Sequence, residues 1–150
     1  MSQIAAIRLA GRADEEAVWS LAEGLATSSQ PTRAAFTESY RQILEDPYAA
    51  IFVAASSGDE IIGYIHVLAH PAFHANGNIA WVEELFVAFK HRGTGCGRSL
   101  MDAAERWAVS EHQAVYLALA TRRAANFYGA IGYDESASYF KKPLPATGVK

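Results

Sequence analysis

Residues 85–99 read Leu85-Phe86-Val87-Ala88-Phe89-Lys90-His91-Arg92-Gly93-Thr94-Gly95-Cys96-Gly97-Arg98-Ser99, a strand-forming run that leads into a glycine-rich turn. Apolar residues then recur at helical spacing from position 100 to position 108, which predicts a helix directly after the turn. Glycine lets a backbone approach a ligand closely, and the first N–H groups of a helix are unpaired and carry a partial positive charge. The segment therefore predicts a site for a phosphate or pyrophosphate, with Arg92 and Arg98 as flanking cations.

Two common phosphate-binding patterns do not fit this turn. A P-loop requires Gly-Lys-Ser or Gly-Lys-Thr, and neither tripeptide occurs in the chain. A dinucleotide-binding turn requires G-x-G-x-x-G, but counting from Gly93 places Arg98 where the third glycine belongs. Both alternatives are set aside.

The composition describes one ordinary folded domain over residues 1–150. The chain has 51% hydrophobic and 19% charged residues, enough apolar material for a core. Thirteen basic and sixteen acidic residues give 13 − 16 = −3, which is a poor match to a protein that binds nucleic acid. The sequence contains no apolar run near the ~20 residues that span a bilayer, and residues 1–16 do not resemble a secretory signal. We therefore expect a soluble, cytoplasmic protein without nucleic-acid or membrane partners.

Hydrophobic periodicity and turn residues predict the order β-α-α-β-β-β-α-β-α-β, a mixed α/β fold. The predicted strands are residues 4–9, 48–55, 60–70, 79–89, 115–121 and 133–140, and the strand at 115–121 is expected to be buried. Asp14 is a candidate N-cap for the first helix, and a loop at 24–31 follows it. The second helix is expected to end at Pro47, and the last helix, 122–131, at Gly132.

The pattern Arg92-x-x-Gly95-x-Gly97 resembles the Q/R-x-x-G-x-G/A turn of the GNAT superfamily of N-acetyltransferases. The preceding Leu85-Phe86-Val87 and the later Phe127-Tyr128-Gly129-Ala130-Ile131-Gly132-Tyr133 are also similar to segments of that family. The resemblance implies a GNAT fold, in which about four helices flank a central mixed β-sheet of six to seven strands. It also implies an enzyme that uses acetyl-CoA as a cosubstrate.

The same resemblance assigns cofactor-binding roles. In the family, the pantetheine arm of acetyl-CoA pairs with the strand before the turn, where the fourth and fifth strands splay apart. Here the pairing groups would be the backbone of Leu85, Phe86 and Val87, and the Val87 N–H would polarise the thioester carbonyl. The pyrophosphate would be held at Arg92, Gly93, Thr94, Gly95, Cys96, Gly97 and Arg98. The family often places an asparagine on pantetheine seven residues before its tyrosine. That position is Thr121 here, so either Thr121 or Asn126 is the candidate contact.

Catalytic roles follow from the resemblance in the same way. Tyr128 would be the general acid that protonates the leaving thiolate, since a phenol with a pKa near ~10 is protonated at neutral pH. Glu83 and Glu84 are the candidate bases that would deprotonate the amine. Successive strand residues face opposite ways, so we expect at most one of them in the cleft. The resemblance to the family pattern favours Glu83, although a bulge could reverse the faces.

The expected reaction is transfer of an acetyl group from acetyl-CoA to a primary amine of a small molecule or peptide in a ternary complex. The alternative is a non-catalytic acyl-CoA-binding or sensing domain. Cys96 is expected to act as a spacer in the turn. No metal is expected, because His66 and His70 would lie ~13 Å apart along a strand. A homodimer is expected from the family.

Overall fold

The computed structural model describes residues 4–25 and 30–146, without the side chain of Ala5. Part of the predicted loop at 24–31, residues 26–29, lies outside the described residues. The chain divides into two compact units, residues 1–119 and 120–150, which are described separately below. None of the helices in the described ranges is long and apolar enough to cross a membrane.

The first unit contains five strands and three α-helices among its described residues. They are β1 (Ile4–Leu9), α1 (Glu15–Leu25), α2 (Arg33–Glu45), β2 (Ala49–Ser56), β3 (Ile61–Ala72), β4 (Gly77–Val87), α3 (Cys96–His112) and β5 (Leu117–Ala118). Short 3-10 turns cover Arg12–Asp14, Phe73–Ala75 and Phe89–His91. The second unit contains one described helix, α4 (Ala125–Ala130).

The strands form one mixed sheet in the order β1-β2-β3-β4-β5. Strands β1 to β4 are antiparallel to their neighbours, and β5 is parallel to β4. Among the described residues the sheet therefore has five strands, which corrects the expectation of six to seven. The mixed α/β architecture itself is confirmed.

Each face of the sheet is covered by helices whose apolar residues have helical spacing. Helices α1 and α2 cover one face, where the buried core is Val18, Tyr40, Ile51, Val53 and Tyr64. On the other face, α3 buries Leu100 and Met101 completely. A Cβ built on Gly63 of β3 would lie 3.2 Å from both Cys96 Sγ and Leu100 Cδ1, so the absence of a side chain at Gly63 allows α3 to approach closely.

The prediction of a last strand at 133–140 is wrong for the described structure, which assigns no strand there. A strand exists only when a neighbouring strand supplies hydrogen-bond partners, and the described part of residues 120–146 contains no strand. Residues 134–146 are also exposed, so the alternation in their sequence is not matched by burial.

The prediction of a buried strand at 115–121 was too long and too buried. Only Leu117–Ala118 are assigned to β5, and Val115 and Tyr116 are 56% and 43% exposed. The strand is short because its register with β4 covers only Ala80 and Trp81.

The helix boundaries are partly as predicted. Asp14 directly precedes α1 but does not cap it. Its carboxylate accepts the Gly11 N–H at 2.8 Å and pairs with the Arg8 guanidinium, so it stabilises the 3-10 turn Arg12–Asp14 instead. Helix α2 ends before Pro47, as expected. Gly132 follows α4 with φ of +103°, and the Tyr133 N–H donates to the Tyr128 carbonyl at 2.9 Å, which confirms the glycine stop.

Candidate functional site

Among the described residues of the first unit, no strand pairs with β4 on its β5 side after Trp81, and this stretch of β4 is called the open edge below. Its register with β5 ends at Trp81, whereas β4 itself continues to Val87. The Ala88 N–H donates to the Ile62 carbonyl at 2.8 Å, so Ala88 and Ile62 form a hydrogen-bonded pair. In an antiparallel ladder every second residue forms such a pair, so counting back along β4 from Ala88 gives the residues whose backbone bonds to β3. By this alternation the N–H and C=O groups of Leu85 and Val87 point away from β3, toward the open edge.

A β-bulge in β4 sets which residues face that edge. Val82 lies opposite Val67 and Glu84 lies opposite His66, so Glu83 is the extra residue. An extra residue shifts the alternation by one position. The Ala80 N–H donates to the Tyr116 carbonyl of the segment leading into β5, so the backbone of Ala80 faces the β5 side of β4. Without the bulge, the backbone groups of even-numbered residues would continue to face the β5 side. The bulge therefore turns the backbone of Leu85 and Val87 outward instead.

The glycine turn leaves the N-terminus of α3 free to bind an anion. Gly93 and Gly95 have φ of +78° and +89°, a region that favours glycine. Gly95 is the N-cap of α3 and offers no side chain to accept a hydrogen bond. The Ser99 N–H is the first to reach back, to the Gly95 carbonyl at 3.0 Å. Helix geometry thus leaves the N–H groups of residues 96–98 without intrahelical acceptors.

Arg92 is engaged with the end of β4. Its Nε donates to the Val87 carbonyl at 3.0 Å, and its guanidinium lies 4.1 Å from the ring centroid of Phe89 and 5.2 Å from that of Phe86. The Thr94 hydroxyl donates to the His91 carbonyl at 2.6 Å, which braces the turn. Arg98 is exposed on the first turn of α3. Arg92 therefore links the end of β4 to the turn through the Val87 carbonyl. This hydrogen bond does not use the Val87 N–H, which points toward the open edge.

Cys96 is a packing residue in the structure. Its side chain is 1% exposed, and burial raises the pKa of its thiol to about 11. Because the thiolate is the reactive form, a buried thiol with a raised pKa is a poor nucleophile. This agrees with the expectation that Cys96 serves as a spacer.

The two candidate bases differ in their surroundings, although both are exposed. The hydroxyl of Tyr64 donates to Glu84 Oε1 at 2.7 Å. His66 lies opposite Glu84 in the β3–β4 register, and burial lowers the pKa of its imidazole while Glu84, Glu83 and Asp46 oppose that shift. Glu83 is the bulge residue.

Three other candidates lie in the second unit. Tyr128 is half-buried on α4, with its ring centroid 4.9 Å from that of Phe127 and 6.1 Å from that of Tyr133. Burial raises the pKa of the Tyr128 hydroxyl, which keeps it protonated at neutral pH. The Thr121 hydroxyl accepts the Ala124 N–H at 3.0 Å and so closes the turn before α4, whereas Asn126 is exposed.

The histidines do not share one environment. His66 and His70 lie on β3, and His74 lies in the 3-10 turn Phe73–Ala75 with its Nε2 2.8 Å from the Tyr116 hydroxyl. Within the described ranges, no group of three His, Cys, Asp or Glu side chains could hold a metal ion.

Sequence reasoning missed two close contacts that shape the site. The Arg92–Phe89 contact brings together residues three positions apart, which their spacing alone did not suggest. A Cβ on Gly24 of α1 would lie 2.8 Å from Phe86 Cζ, so α1 packs directly on the end of β4. A glycine inside a helix pattern was an available signal for such a close approach.

An open strand edge that leads into an uncapped helix N-terminus defines a protein that can bind an extended ligand bearing a phosphate group. The family model of the GNAT acetyltransferases matches residues 16–133. The chain belongs to this family, whose acetyl donor is acetyl-CoA, and it is an acetyltransferase.

Solved structures agree on the fold at low sequence identity. The chain is similar to the aminoglycoside N-acetyltransferase AAC(6')-Iy in complex with CoA (20% identity, 97% of each chain, TM-score 0.83). It is also similar to glucosamine-6-phosphate N-acetyltransferase from Arabidopsis thaliana (18% identity, 93% of this chain and 98% of that one, TM-score 0.80). A third similar structure is an acetyltransferase from Trypanosoma brucei (15% identity, 93% and 99%, TM-score 0.78). The sequence matches no curated protein.

Proposed function

We propose that the protein transfers an acetyl group from acetyl-CoA to a primary amine of a small molecule or peptide. The observation that carries this proposal is the continuous path from the open edge at Leu85 and Val87 to the free N–H groups of α3. Pantetheine amides would pair with the edge as an added strand, and the pyrophosphate would bind at Gly93–Arg98. Thr121 or Asn126 would contribute a further contact to pantetheine.

The chemistry requires a proton acceptor, because a lysine-like amine has a pKa near ~10.4 and attacks only when neutral. Glu83 or Glu84 would accept the first proton of the ammonium group and release it to solvent. The amine nitrogen then forms a bond with the thioester carbon, and the Val87 N–H stabilises the negative charge that develops on the carbonyl oxygen.

Collapse of the tetrahedral intermediate breaks the C–S bond and releases CoA as a thiolate. The Tyr128 hydroxyl would donate its proton to that sulfur. The second proton lost by the nitrogen restores the tyrosine through solvent, so the products are the acetylated amine and the CoA thiol. No covalent acyl-enzyme is formed, in agreement with the buried, high-pKa thiol of Cys96.

The acceptor is proposed to be a small amine or peptide. Support comes from two similar folds whose names specify an aminoglycoside and glucosamine 6-phosphate as acceptors. The organisation of residues 1–150 as one catalytic domain, the homodimer and the cytoplasmic location stay predictions. Light scattering of the purified protein tests the dimer.

The proposal is tested by calorimetric titration with acetyl-CoA, with ATP and NAD as controls, followed by a thiol-release assay. The amine panel contains kanamycin, glucosamine 6-phosphate, spermidine and a lysine-containing peptide. We expect binding of acetyl-CoA alone and amine-dependent release of CoA. Binding without release from any amine would support a non-catalytic acyl-CoA-binding domain, and no binding by folded protein would refute the cofactor assignment.

A further inference from the structure

The Tyr64 hydroxyl lies where the buried core of the sheet meets the candidate site. Its side chain is 2% exposed and belongs to the core cluster with Val18, Tyr40, Ile51 and Val53. Its hydroxyl donates to the Oε1 atom of the exposed residue Glu84 at 2.7 Å. A rigid, buried ring therefore ends in a hydrogen bond to a carboxylate at the surface.

This hydrogen bond has one direction. Burial and the neighbouring Glu84 raise the pKa of the Tyr64 hydroxyl, so the phenol stays protonated and acts as the donor. The hydrogen bond occupies Oε1 of the carboxylate and leaves the lone pairs of Oε2 for another proton donor. One oxygen is thus used for orientation, and the other is available for chemistry.

A second buried tyrosine in the same cluster shows that packing alone does not require this arrangement. Tyr40 is also 2% exposed, and its hydroxyl donates to the Gly11 carbonyl at 2.7 Å. Both tyrosines thus satisfy a buried hydroxyl, but Tyr40 does so with a backbone group. The partner of Tyr64 is instead a side chain next to the open edge of β4.

The bulge distinguishes Glu84 from its neighbour. Glu84 keeps its place opposite His66 in the ladder, whereas Glu83 is the extra residue without a partner in the register. Glu84 also directly precedes Leu85, the first residue after the bulge whose backbone faces the open edge. The strand register therefore places the backbone of Glu84, and the tyrosine holds its carboxylate.

We propose that Tyr64 is a positioning residue that fixes the Glu84 carboxylate as the proton acceptor for the incoming amine. This inference rests on the proposed acetyl transfer and selects Glu84 over Glu83. In the step, the ammonium group gives one proton to Glu84 Oε2, which passes it to solvent. The neutral amine then forms the C–N bond to give the tetrahedral intermediate described above, whose collapse breaks the C–S bond, and Tyr64 itself does not change its protonation state.

The test compares Tyr64→Phe with Tyr40→Phe, because each removes one buried hydroxyl from the same core. Initial rates are measured with acetyl-CoA and the panel amine that gives the highest turnover. We expect Tyr64→Phe to lower kcat about tenfold with the KM for acetyl-CoA within about twofold, since an unrestrained carboxylate spends less time in the productive geometry. We expect Tyr40→Phe to stay within about twofold of wild type in kcat.

A double-mutant cycle separates positioning from a general effect on the fold. Glu84→Gln is expected to lower kcat by about a hundredfold or more, as for loss of a general base. Adding Tyr64→Phe to Glu84→Gln should then cause no further loss, because the hydroxyl acts only through the carboxylate. Circular dichroism of both tyrosine variants reports whether they fold.

Equal kcat values for Tyr64→Phe and Tyr40→Phe, or additive losses in the double variant, would overturn this inference and leave the proposed acetyl transfer intact. A larger loss of kcat in Glu83→Gln than in Glu84→Gln would also overturn it. If the wild-type protein acetylates no amine of the panel, both the proposed function and this inference are overturned.

Discussion

Replacement of Gly95 by alanine tests whether the conformation of the glycine turn is needed for cofactor binding. Gly95 has φ of +89° and ψ of 2°, and a Cβ built there would meet no heavy atom within 4 Å. The substitution therefore adds no steric clash with neighbouring groups. Its cost arises from the backbone conformation alone, because an L-residue is disfavoured at this φ.

The magnitude follows from two opposing contributions. A left-handed conformation costs a residue with a Cβ about 1–2 kcal/mol. The lower entropy of the unfolded chain offsets about 0.4–1 kcal/mol of this. We therefore expect Gly95→Ala to lower the free energy of unfolding by about 1 kcal/mol, or Tm by about 2–4 °C. If the turn instead relaxes when empty, the free energy of unfolding changes little and binding must restore the strained form, which weakens acetyl-CoA binding by about 1–2 kcal/mol, or about 5–30-fold.

The assay is calorimetric titration with acetyl-CoA together with thermal unfolding, and Gly77→Ala is the matched control. Gly77 also has no heavy atom within 4 Å of a built Cβ, but its φ is not in the positive range. We expect the control to bind acetyl-CoA as the wild type does. If Gly95→Ala had the same Kd and Tm as Gly77→Ala, the positive φ would cost alanine nothing in either state, and the reasoning from the backbone conformation of the turn would be refuted.

Three further predictions concern other parts of the structure. Burial lowers the pKa of His66 in the folded state, so protonation favours unfolding, and the free energy of unfolding should fall as pH drops below about 6.5. His66→Gln should weaken this pH dependence in urea titrations at pH 7.5 and 5.5. An unchanged pH dependence would contradict its attribution to His66. Gly63→Ala should lower the free energy of unfolding in urea by about 1–3 kcal/mol through overpacking, since its Cβ would lie 3.0 Å from the Phe86 carbonyl oxygen and 3.2 Å from Cys96 Sγ and Leu100 Cδ1. Wild-type stability would show that both β4 and α3 shift to accommodate the added methyl group. Tyr128→Phe should lower kcat about 10²–10⁴-fold in the thiol-release assay without changing the Kd of acetyl-CoA; an unchanged kcat would remove Tyr128 from the mechanism.

The strongest sequence predictions rested on local chemistry. In the turn at 93–97 the structure has two residues with positive φ, and the sequence has glycine at both of these positions. Gly132 ends α4 as expected. Hydrophobic periodicity also correctly predicted the two helices, α1 and α2, that pack on one face of the sheet. These features depend on residues close in sequence, whose conformational preferences act before any tertiary contact forms.

The predictions that failed required information about a distant partner. The segment 133–140 has a strand-like sequence, but no described strand pairs with it and none is assigned there. Asp14 was expected to cap α1, but Arg8 and the Gly11 N–H determine its position. In both cases a local preference was overridden by which groups were available in space.

The sequence by itself indicated the family, the glycine turn proposed to hold the pyrophosphate and the pair of candidate carboxylates, because each is encoded in residue types at short, fixed spacing. Only the tertiary structure decided how the two carboxylates differ. The bulge at Glu83 depends on the register between β3 and β4, and the hydrogen bond from Tyr64 to Glu84 joins residues 20 positions apart. A strand sequence shows that its side chains alternate, but the neighbouring strand determines which of them has a partner.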